Sequence, residues 1–452
     1  MLAGCLTAER PELAFEIPRA YQAAAGASGG GRPALDWWRG FGSGELTKLI
    51  EQAQSANFDI AAAVARIVQA DAQSKVAGAP LLPAANFTSS ATRSRSPGGP
   101  ERSALTVALN ASYEIDFWGK NRALSRAAQE NAIVSRFNRD VVALSTIASV
   151  ATAYFQVLLS QDRLRTAREN IAAANRVLTL INQRFNAGTA SQLDVAQQES
   201  LVATQRATVP PLDQALRQNI VVLAVLIGRP PVQVKVRGGS LYRLGIPRVA
   251  AGLPSELLIQ RPDIRAAEAA LASSEASVEA ARAAFFPSIS LTGQGGYTSS
   301  ALASLFTPQS AFWSLAGNLA QPLFDGFRLE GQLGQAKGRQ LELFSDYQRS
   351  IVSAFGDVEA ALIAIADGAE RERLQREVVM SSRNAFQIAE TRLREGTVDL
   401  VIVLQTQQTL FQAEDALALA RFARLQAVLS LFQALGGSWL PPPPEDSAIR
   451  TQ

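Results

Sequence analysis

The chain has 452 residues, of which 47% are hydrophobic and 18% charged, and its formal net charge is +3. This composition excludes a disordered or collagen-like chain, and without a Lys/Arg run there is no electrostatic footprint for nucleic acid. The sequence has no His and one Cys, which excludes His-based triads, His-ligated zinc, thiolate metal clusters and internal disulfides. We therefore expect neither an enzyme nor a protein that binds a metal, a cofactor or DNA.

The N-terminal segment, residues 1–44, contains the only cysteine. Cys5 follows Leu2-Ala3-Gly4, and small residues before a cysteine resemble the site at which a bacterial lipoprotein is cut and acylated. The charged and apolar regions of a signal peptide do not precede it in this sequence. Two interpretations stay open, namely a covalent lipid on Cys5, which would tether the chain without spanning a membrane, or a cysteine without a role.

An internal duplication is the most informative feature of the sequence. A motif Arg-x-x-x-Gly-Thr begins at Arg184 and again at Arg392. Three glycines recur at an offset of 207 or 208 residues: Gly119 and Gly326, Gly188 and Gly396, Gly228 and Gly436. One offset held at three separated places predicts two tandem repeats, residues 45–240 and 241–437, followed by a Pro-rich tail at 438–452.

Each repeat is predicted to contain two strands, a very long helix, a glycine turn and a return helix. Alternating apolar residues indicate the strands, and apolar residues at steps of three and four indicate the helices. In the first repeat we predict strands at 86–92 and 104–115, a long helix at 120–187 and a return helix at 191–227. In the second repeat we predict strands at 288–299 and 311–323, a long helix at 327–395 and a return helix at 399–435.

The long helices are predicted to pack as coiled coils. A helix over 120–187 would be about 100 Å long, which no globular core matches. Residues 141–160 carry no charge and have the length of a membrane span, but Ser, Thr and Gln interrupt them and the large residues follow the heptad seam. We therefore predict a packed helix there. Pro210-Pro211 should break or kink the first return helix.

The four strands cannot close a barrel by themselves if they lie in a bilayer, because about eight strands make the smallest barrel. At least two chains are needed, and three chains would supply twelve strands around an open lumen. Aromatic residues near strand ends are either residues of the membrane interface or residues of a buried core: Tyr113, Phe117, Trp118, Phe312 and Trp313.

Residues 252–268, Gly-Leu-Pro-Ser-Glu-Leu-Leu-Ile-Gln-Arg-Pro-Asp-Ile-Arg-Ala-Ala-Glu, resemble the segment between the two repeats of TolC-like outer membrane efflux proteins. Within that family the sequence is similar to the OprM/NodT-like lipoproteins of RND-type tripartite pumps. Trp-Trp-Arg-Gly-Phe at 37–41, the two Arg-x-x-x-Gly-Thr motifs and the segment around Cys5 are also similar, so the resemblance covers nearly the whole chain. For Arg261-Pro262-Asp263 itself we expect a helix start, without a role in transport.

The resemblance implies a mostly α fold with a transmembrane β part, in which two tandem repeats form a trimeric 12-stranded β-barrel and a long coiled-coil α-helical barrel. It also implies a homotrimer in the outer membrane, lipid-anchored at Cys5, with a periplasmic adaptor protein and an inner-membrane RND-type pump as partners. No cofactor is implied apart from the covalent lipid.

The resemblance places the glycine turns at the periplasmic tips, where an adaptor would dock. The predicted docking residues are Arg184, Gly188, Thr189, Arg392, Gly396 and Thr397. A plain helix C-cap explains the same glycines, since glycine adopts positive φ at little cost. The predicted constriction residues are Arg394, Asp399, Val401 and Gln405, with Val401 as an apolar gate and Arg394 and Asp399 as candidate salt-bridge partners. Ordinary seam residues are the alternative. Gln405 stands where relatives often have an acidic residue, so an acidic cation-binding ring is not expected here.

The leading functional hypothesis is a passive conduit for small molecules, in which the inner-membrane pump supplies energy and selectivity. The outer channel of a type I protein secretion system is an alternative, which the Arg-Pro-Asp segment and the lipoprotein-like terminus disfavour. A soluble coiled-coil scaffold is an alternative of a different class, which the uncharged residues 283–324 disfavour. No phosphate-binding loop or metal-ligand spacing is present in the sequence.

Overall fold

The computed structural model describes residues 15–18, 20–22, 36–247, 252 and 254–437. Cys5 and the predicted tail at 438–452 lie outside the described residues. The helices and strands occur in chain order as α1 (Gly44–Ala56), α2 (Phe58–Gly78), β1 (Ala84–Arg95), β2 (Glu101–Ile115), α3 (Lys120–Asn186), α4 (Gln192–Ala207), α5 (Val209–Leu226), α6 (Pro254–Gln260), α7 (Pro262–Ala283), β3 (Ser288–Ser299), β4 (Ala311–Ala320), α8 (Arg328–Arg394) and α9 (Leu400–Ala434).

The four strands form one antiparallel sheet in the order β1-β2-β3-β4. The central pair, β2 with β3, joins the two repeats through a register that aligns Leu109 with Gly295. β1 and β2 extend beyond the predicted 86–92 and 104–115 toward their shared turn, where Arg93 and Glu101 form an ion pair at 2.6 Å. β4 ends at Ala320 rather than at 323, because Pro322 has no N–H to donate to a ladder.

The sheet has one apolar and one polar face. Because side chains alternate along a strand, the register puts Phe87, Leu109 and Trp313 in one row of the same face. The large apolar residues of this face are largely exposed in the single chain: Phe87, Leu109, Trp313, Leu315 and Leu319. The opposite face carries amides and hydroxyls, including Asn110, whose Nδ2 donates to Thr88 Oγ1 at 2.8 Å.

The aromatic residues near the strand ends have different environments. Trp313 is 82% exposed on the apolar face, and Phe117 is 65% exposed. Trp118 is packed instead, since its Nε1 donates to Pro287 O at 2.8 Å and its ring stacks on Phe286 at 4.6 Å. Phe312 pairs with Gly296 and therefore lies on the polar face. The predicted set thus divides between residues that could meet lipid and residues that pack within the chain.

The long helices α3 and α8 each contain 67 residues, which corresponds to a contour length of about 100 Å at ~1.5 Å per residue. By length and composition alone, α3 is apolar enough to cross a membrane. Its apolar middle is nevertheless packed, since Val150, Phe155 and Leu158 belong to a large buried cluster. This is the environment that the heptad seam predicts for residues 141–160.

The two return helices differ. α9 is continuous, whereas the first return helix, predicted at 191–227, is divided at Thr208 into α4 and α5. Pro210 and Pro211 occupy the first turn of α5, where their missing N–H groups are tolerated, but they cannot donate to the last carbonyls of α4. The break therefore falls two residues before the first proline.

The structure divides into two compact units. One unit includes Val64–Asn138 and Asp263–Ser350, which hold the sheet, and the other includes Arg139–Pro262 and the chain from Ile351 onward. Each unit takes segments from both repeats, so the repeats predicted at 45–240 and 241–437 do not coincide with the compact units.

The core of the second unit uses the Trp-Trp-Arg-Gly-Phe motif. The Trp37 ring stacks on Phe432 at 4.6 Å, and Phe41 meets Phe155 edge-on at 5.1 Å. Ser43 caps α1 by accepting from Leu46 N at 3.1 Å. The motif therefore packs residues 37–41 against α3 and α9.

Candidate functional site

The two predicted tips are helix C-termini of the Schellman type. In the first, the Gly188 N–H donates to Phe185 O at 2.9 Å and the Thr189 N–H donates to Arg184 O at 2.8 Å. Gly188 has a φ of 75°, which an L-residue adopts only with strain. A Cβ on Gly188 would meet no atom within 4 Å, so the backbone conformation and not crowding selects glycine there.

The second tip repeats this geometry. Gly396 has a φ of 78°, and its N–H donates to Leu393 O at 3.1 Å. The Thr397 N–H donates to Arg392 O at 2.8 Å, and the Thr397 hydroxyl donates to the same oxygen at 3.2 Å. Thr189 and Thr397 therefore each donate through both the backbone N–H and the hydroxyl to the carbonyl oxygen of the motif arginine. These bonds explain the glycine and the threonine of the Arg-x-x-x-Gly-Thr motif by the structure of the turn.

The arginines of the two motifs behave differently. Arg184 donates through Nη1 to Leu393 O, at the end of α8, and through Nη2 to Thr189 O at 3.5 Å. Arg184 thus caps the other long helix rather than its own, α3. Arg392 is exposed, and its guanidinium has no hydrogen-bond or ion-pair partner among the described residues.

The predicted charged residues beside the second turn do not pair with each other. Arg394 forms its ion pair with Glu390, one turn back along α8, at 3.6 Å. Asp399 is the N-cap residue of α9, but its side chain makes no capping hydrogen bond and is exposed. At the first tip the N-cap residue Ser191 forms a full capping box with Asp194. The N-terminus of α9 therefore has fewer capping hydrogen bonds than the N-terminus of α4, where the first return helix begins.

Val401 and Gln405 lie on a face of α9 that is exposed in the single chain. Val401 is 57% exposed and Gln405 is also exposed, and a spacing of four residues puts them on one side of the helix. The buried seam follows another line on the same helix: Leu400, Val403, Gln407 and Leu410. Within this chain the two residues are therefore not seam residues.

Residues 240–244 are held by buried polar groups that the sequence analysis did not predict. Asp162 of α3 accepts hydrogen bonds from the Leu241 N–H at 2.9 Å and the Ser240 hydroxyl at 3.1 Å. Arg421 of α9 donates to Leu241 O at 3.3 Å and to Leu244 O at 2.6 Å. This segment is consequently bound to both helices through its backbone.

Glu372 of α8 completes this buried network. Its side chain is 1% exposed and accepts from three arginines, with N–O distances of 2.8 Å to Arg376, 3.0 Å to Arg424 and 3.4 Å to Arg421. Burial, reinforced by the nearby carboxylates of Asp162 and Glu372, raises the pKa of Tyr242 to about 12, so this phenol stays neutral at physiological pH. No short motif reveals such a network, because its members come from distant segments.

Arg261-Pro262-Asp263 has a structural role. Pro262 is the first residue of α7, as expected for a helix start. The Arg261 Nη1 donates to Ala434 O, at the end of α9, at 3.0 Å and pairs with Asp357 at the same distance. Arg261, the residue before α7, therefore caps the second return helix.

The described residues contain no group of His, Cys, Asp and Glu that could hold a metal ion. The geometry instead defines a class of protein: a sheet with one exposed apolar face joined to long helical hairpins that end in glycine turns. Such a combination is typical of a membrane channel with a helical extension.

Comparison with known proteins agrees with that class. The model of the outer membrane efflux protein family matches residues 49–229 and 253–437. The chain is 40% identical to the pyoverdine export outer membrane protein OpmQ of Pseudomonas putida, over 97% of this chain and 95% of the relative. It is 33% identical to the toluene efflux pump outer membrane protein TtgF of Pseudomonas putida, over 90% of this chain and 86% of the relative.

Solved structures show the same fold. The outer-membrane channel OprN superposes with a TM-score of 0.91 at 26% identity, over 97% of this chain and all of that chain. The open state of the Neisseria gonorrhoeae MtrE outer membrane channel superposes with a TM-score of 0.84 at 31% identity, over 95% of this chain and 98% of that chain. The chain belongs to the outer membrane efflux protein family. It is thus an efflux channel protein of the outer membrane and not an enzyme.

The buried network should contribute strongly to stability. Replacing Glu372 by Ala leaves Arg421 buried without its counter-ion, which typically costs about 3–5 kcal/mol. We expect Glu372→Ala to lower the melting temperature of the detergent-solubilised protein, measured by circular dichroism. Glu370→Ala, two residues away in an exposed pair with Arg373, should leave the melting temperature unchanged. Equal melting temperatures for the two variants would contradict this assignment.

Proposed function

We propose that this chain forms the outer-membrane channel of a tripartite efflux pump and acts as a passive conduit for small molecules. In this proposal three chains assemble into a 12-stranded β-barrel, and their long helices form a tunnel through the periplasm. The observation that carries the proposal is the sheet, which combines an exposed apolar face, a polar face and two outer edges that no described residue of this chain pairs.

The dimensions of the strands support a membrane location for the sheet. The four strands contain 12, 15, 12 and 10 residues, and about 9–11 tilted residues span a bilayer. An apolar face toward lipid and a polar face toward a lumen are what a water-filled barrel requires. Charged residues near the β1–β2 turn, such as Arg93 and Glu101, would then lie outside the hydrocarbon region.

The names of the relatives support export of small compounds. They mention pyoverdine export and toluene efflux, and neither name mentions protein secretion. The pump that supplies energy would be an inner-membrane transporter of the RND type, linked to this channel by a periplasmic adaptor. No catalytic residue is part of this proposal, since the conduit is passive.

The two glycine turns are the proposed docking surface for the adaptor. Their exposed backbone and the residues Arg184, Gly188, Thr189, Arg392, Gly396 and Thr397 are grouped at the ends of the hairpins. The Schellman geometry gives each turn a fixed shape, and a fixed shape lowers the entropic cost of binding a second helical hairpin.

The channel proposal is tested by mass and conductance. Purified in detergent, the protein should have the mass of three chains plus detergent, and in planar bilayers it should give ion-conducting channels. A monomeric mass, or extraction from cells without detergent, would contradict the proposal and favour the soluble scaffold.

We also propose that Cys5 carries the lipid anchor. Cells fed a radiolabelled or alkyne-bearing fatty acid should label the natural protein, and the Cys5→Ala variant should lose that label. The variant should still give channels after reconstitution, because the sheet and not the anchor makes the pore. Undiminished labelling of Cys5→Ala would show that the acyl chain is elsewhere.

Val401 is the proposed apolar constriction of the tunnel, with Gln405 one turn further along the same face. Val401→Ala removes two methyl groups from each chain, so we expect a larger single-channel conductance in planar bilayers. Ile402→Ala is the matched control, because Ile402 is the next residue, is 46% exposed and points to a different side of α9. Equal conductance of Val401→Ala and wild type would place the constriction elsewhere.

A further inference from the structure

The two repeats use equivalent arginines in different ways. In the first repeat Arg184 donates to Leu393 O, so that the first turn is attached to the end of α8 in the second repeat. In the second repeat Arg392 stands at the equivalent position, since the Arg-x-x-x-Gly-Thr motifs are 208 residues apart. Its guanidinium is exposed and has no partner in the described part of the chain.

The duplication identifies the oxygen that Arg392 should reach. The acceptor of Arg184 is the carbonyl of Leu393, and the residue 208 positions earlier is Phe185. Phe185 O and Leu393 O have the same place in their turns, because each accepts the N–H of the turn glycine, Gly188 or Gly396. A carbonyl oxygen has two lone pairs, so Phe185 O can accept a second hydrogen bond, as Leu393 O does.

Within one chain this second bond is not made. Arg184 already joins the first turn to the second turn, and Arg392 has no further turn of its own chain to contact. If three chains form a ring, six turns alternate around it, and each second turn is followed by the first turn of the next chain. The contact between turns of neighbouring chains then resembles the contact between the two turns of one chain.

We propose that Arg392 donates a hydrogen bond to Phe185 O of a neighbouring copy of this chain. The tips of the assembly are then joined by six equivalent arginine contacts, three within chains and three between chains. Only the contacts made by Arg392 have to break for the tips of neighbouring chains to separate. Arg392 therefore holds the tips closed, whereas Arg184 fixes the hairpins of one chain to each other. This inference rests on the proposed trimer.

Cross-linking tests the contact in the full-length trimer. The double variant Phe185→Cys/Arg392→Cys, treated with a short bismaleimide in detergent, should give covalent trimers on a denaturing gel. The control Phe185→Cys/Thr391→Cys uses the neighbouring exposed residue, whose hydroxyl donates only to its own helix at Gln387 O. This control should give several-fold less covalent trimer.

The outcomes separate the two proposals. A monomeric mass before cross-linking would refute the channel itself and with it this contact. A trimeric mass with no covalent trimer, or with equal amounts from both double variants, would leave the channel intact and overturn the Arg392 contact.

Conductance provides a second measurement that does not depend on cysteine reactivity. Arg392→Ala should open several-fold more often than wild type in planar bilayers, and Arg392→Lys should lie between them, because an ammonium keeps the donor but lacks the fork of the guanidinium. Thr391→Ala should match wild type. Wild-type opening in trimeric Arg392→Ala would overturn the proposed closure.

Discussion

The outer edges of β1 and β4 present backbone N–H and C=O groups that no other strand in the described part of the chain pairs. In water such an edge can be solvated, but in the hydrocarbon of a bilayer each unsatisfied group costs several kcal/mol. The apolar face of the same sheet, with Trp313 and Leu315 exposed, is suited to lipid. If the sheet lies in the bilayer, as proposed, it can satisfy both conditions only as part of a closed barrel, and four strands are too few for one chain to close it. The proposed assembly of several chains thus follows from the sheet.

The helical part meets a different requirement, namely rigidity over a great length. Most of the stability of α3 and α8, which have 67 residues each, should come from apolar residues packed along their seams and not from helix propensity. Residues 240–244 add polar contacts to that packing, since Asp162 and Arg421 bind their backbone and Glu372 pairs with Arg421. Buried charges of this kind stabilise an arrangement only when all partners are present, which makes the packing of these helices specific as well as stable.

The sequence allowed much of this to be predicted, because the signals were periodic or repeated. Alternation located the strands, the heptad seam located the long helices, and a shared offset located the turns at Gly188 and Gly396. The position of the break at Thr208 was predicted only approximately. A proline has no N–H for the carbonyl four residues earlier, so the helix is interrupted before the proline and not at it. The Asp162, Glu372 and Arg421 network could not be predicted, because contacts between residues so distant in sequence leave no spacing pattern. The different contacts of Arg184 and Arg392 could not be predicted either, because the two residues begin identical Arg-x-x-x-Gly-Thr motifs.

Duplication allows an assembly of identical chains to contain elements that are not identical. Six copies of a single repeat would make every turn and every return helix equivalent, whereas fusing two repeats lets the halves diverge. The return helices show this divergence, since α9 is continuous while Pro210 and Pro211 remove two backbone hydrogen bonds between α4 and α5. Bending is least costly where hydrogen bonds are already missing. In the proposed trimer, bending should therefore be concentrated in the first return helix of each chain, at Thr208, while the Arg184 contact keeps the two turns of that chain together. Such bending would occur at three places around the ring and not at six.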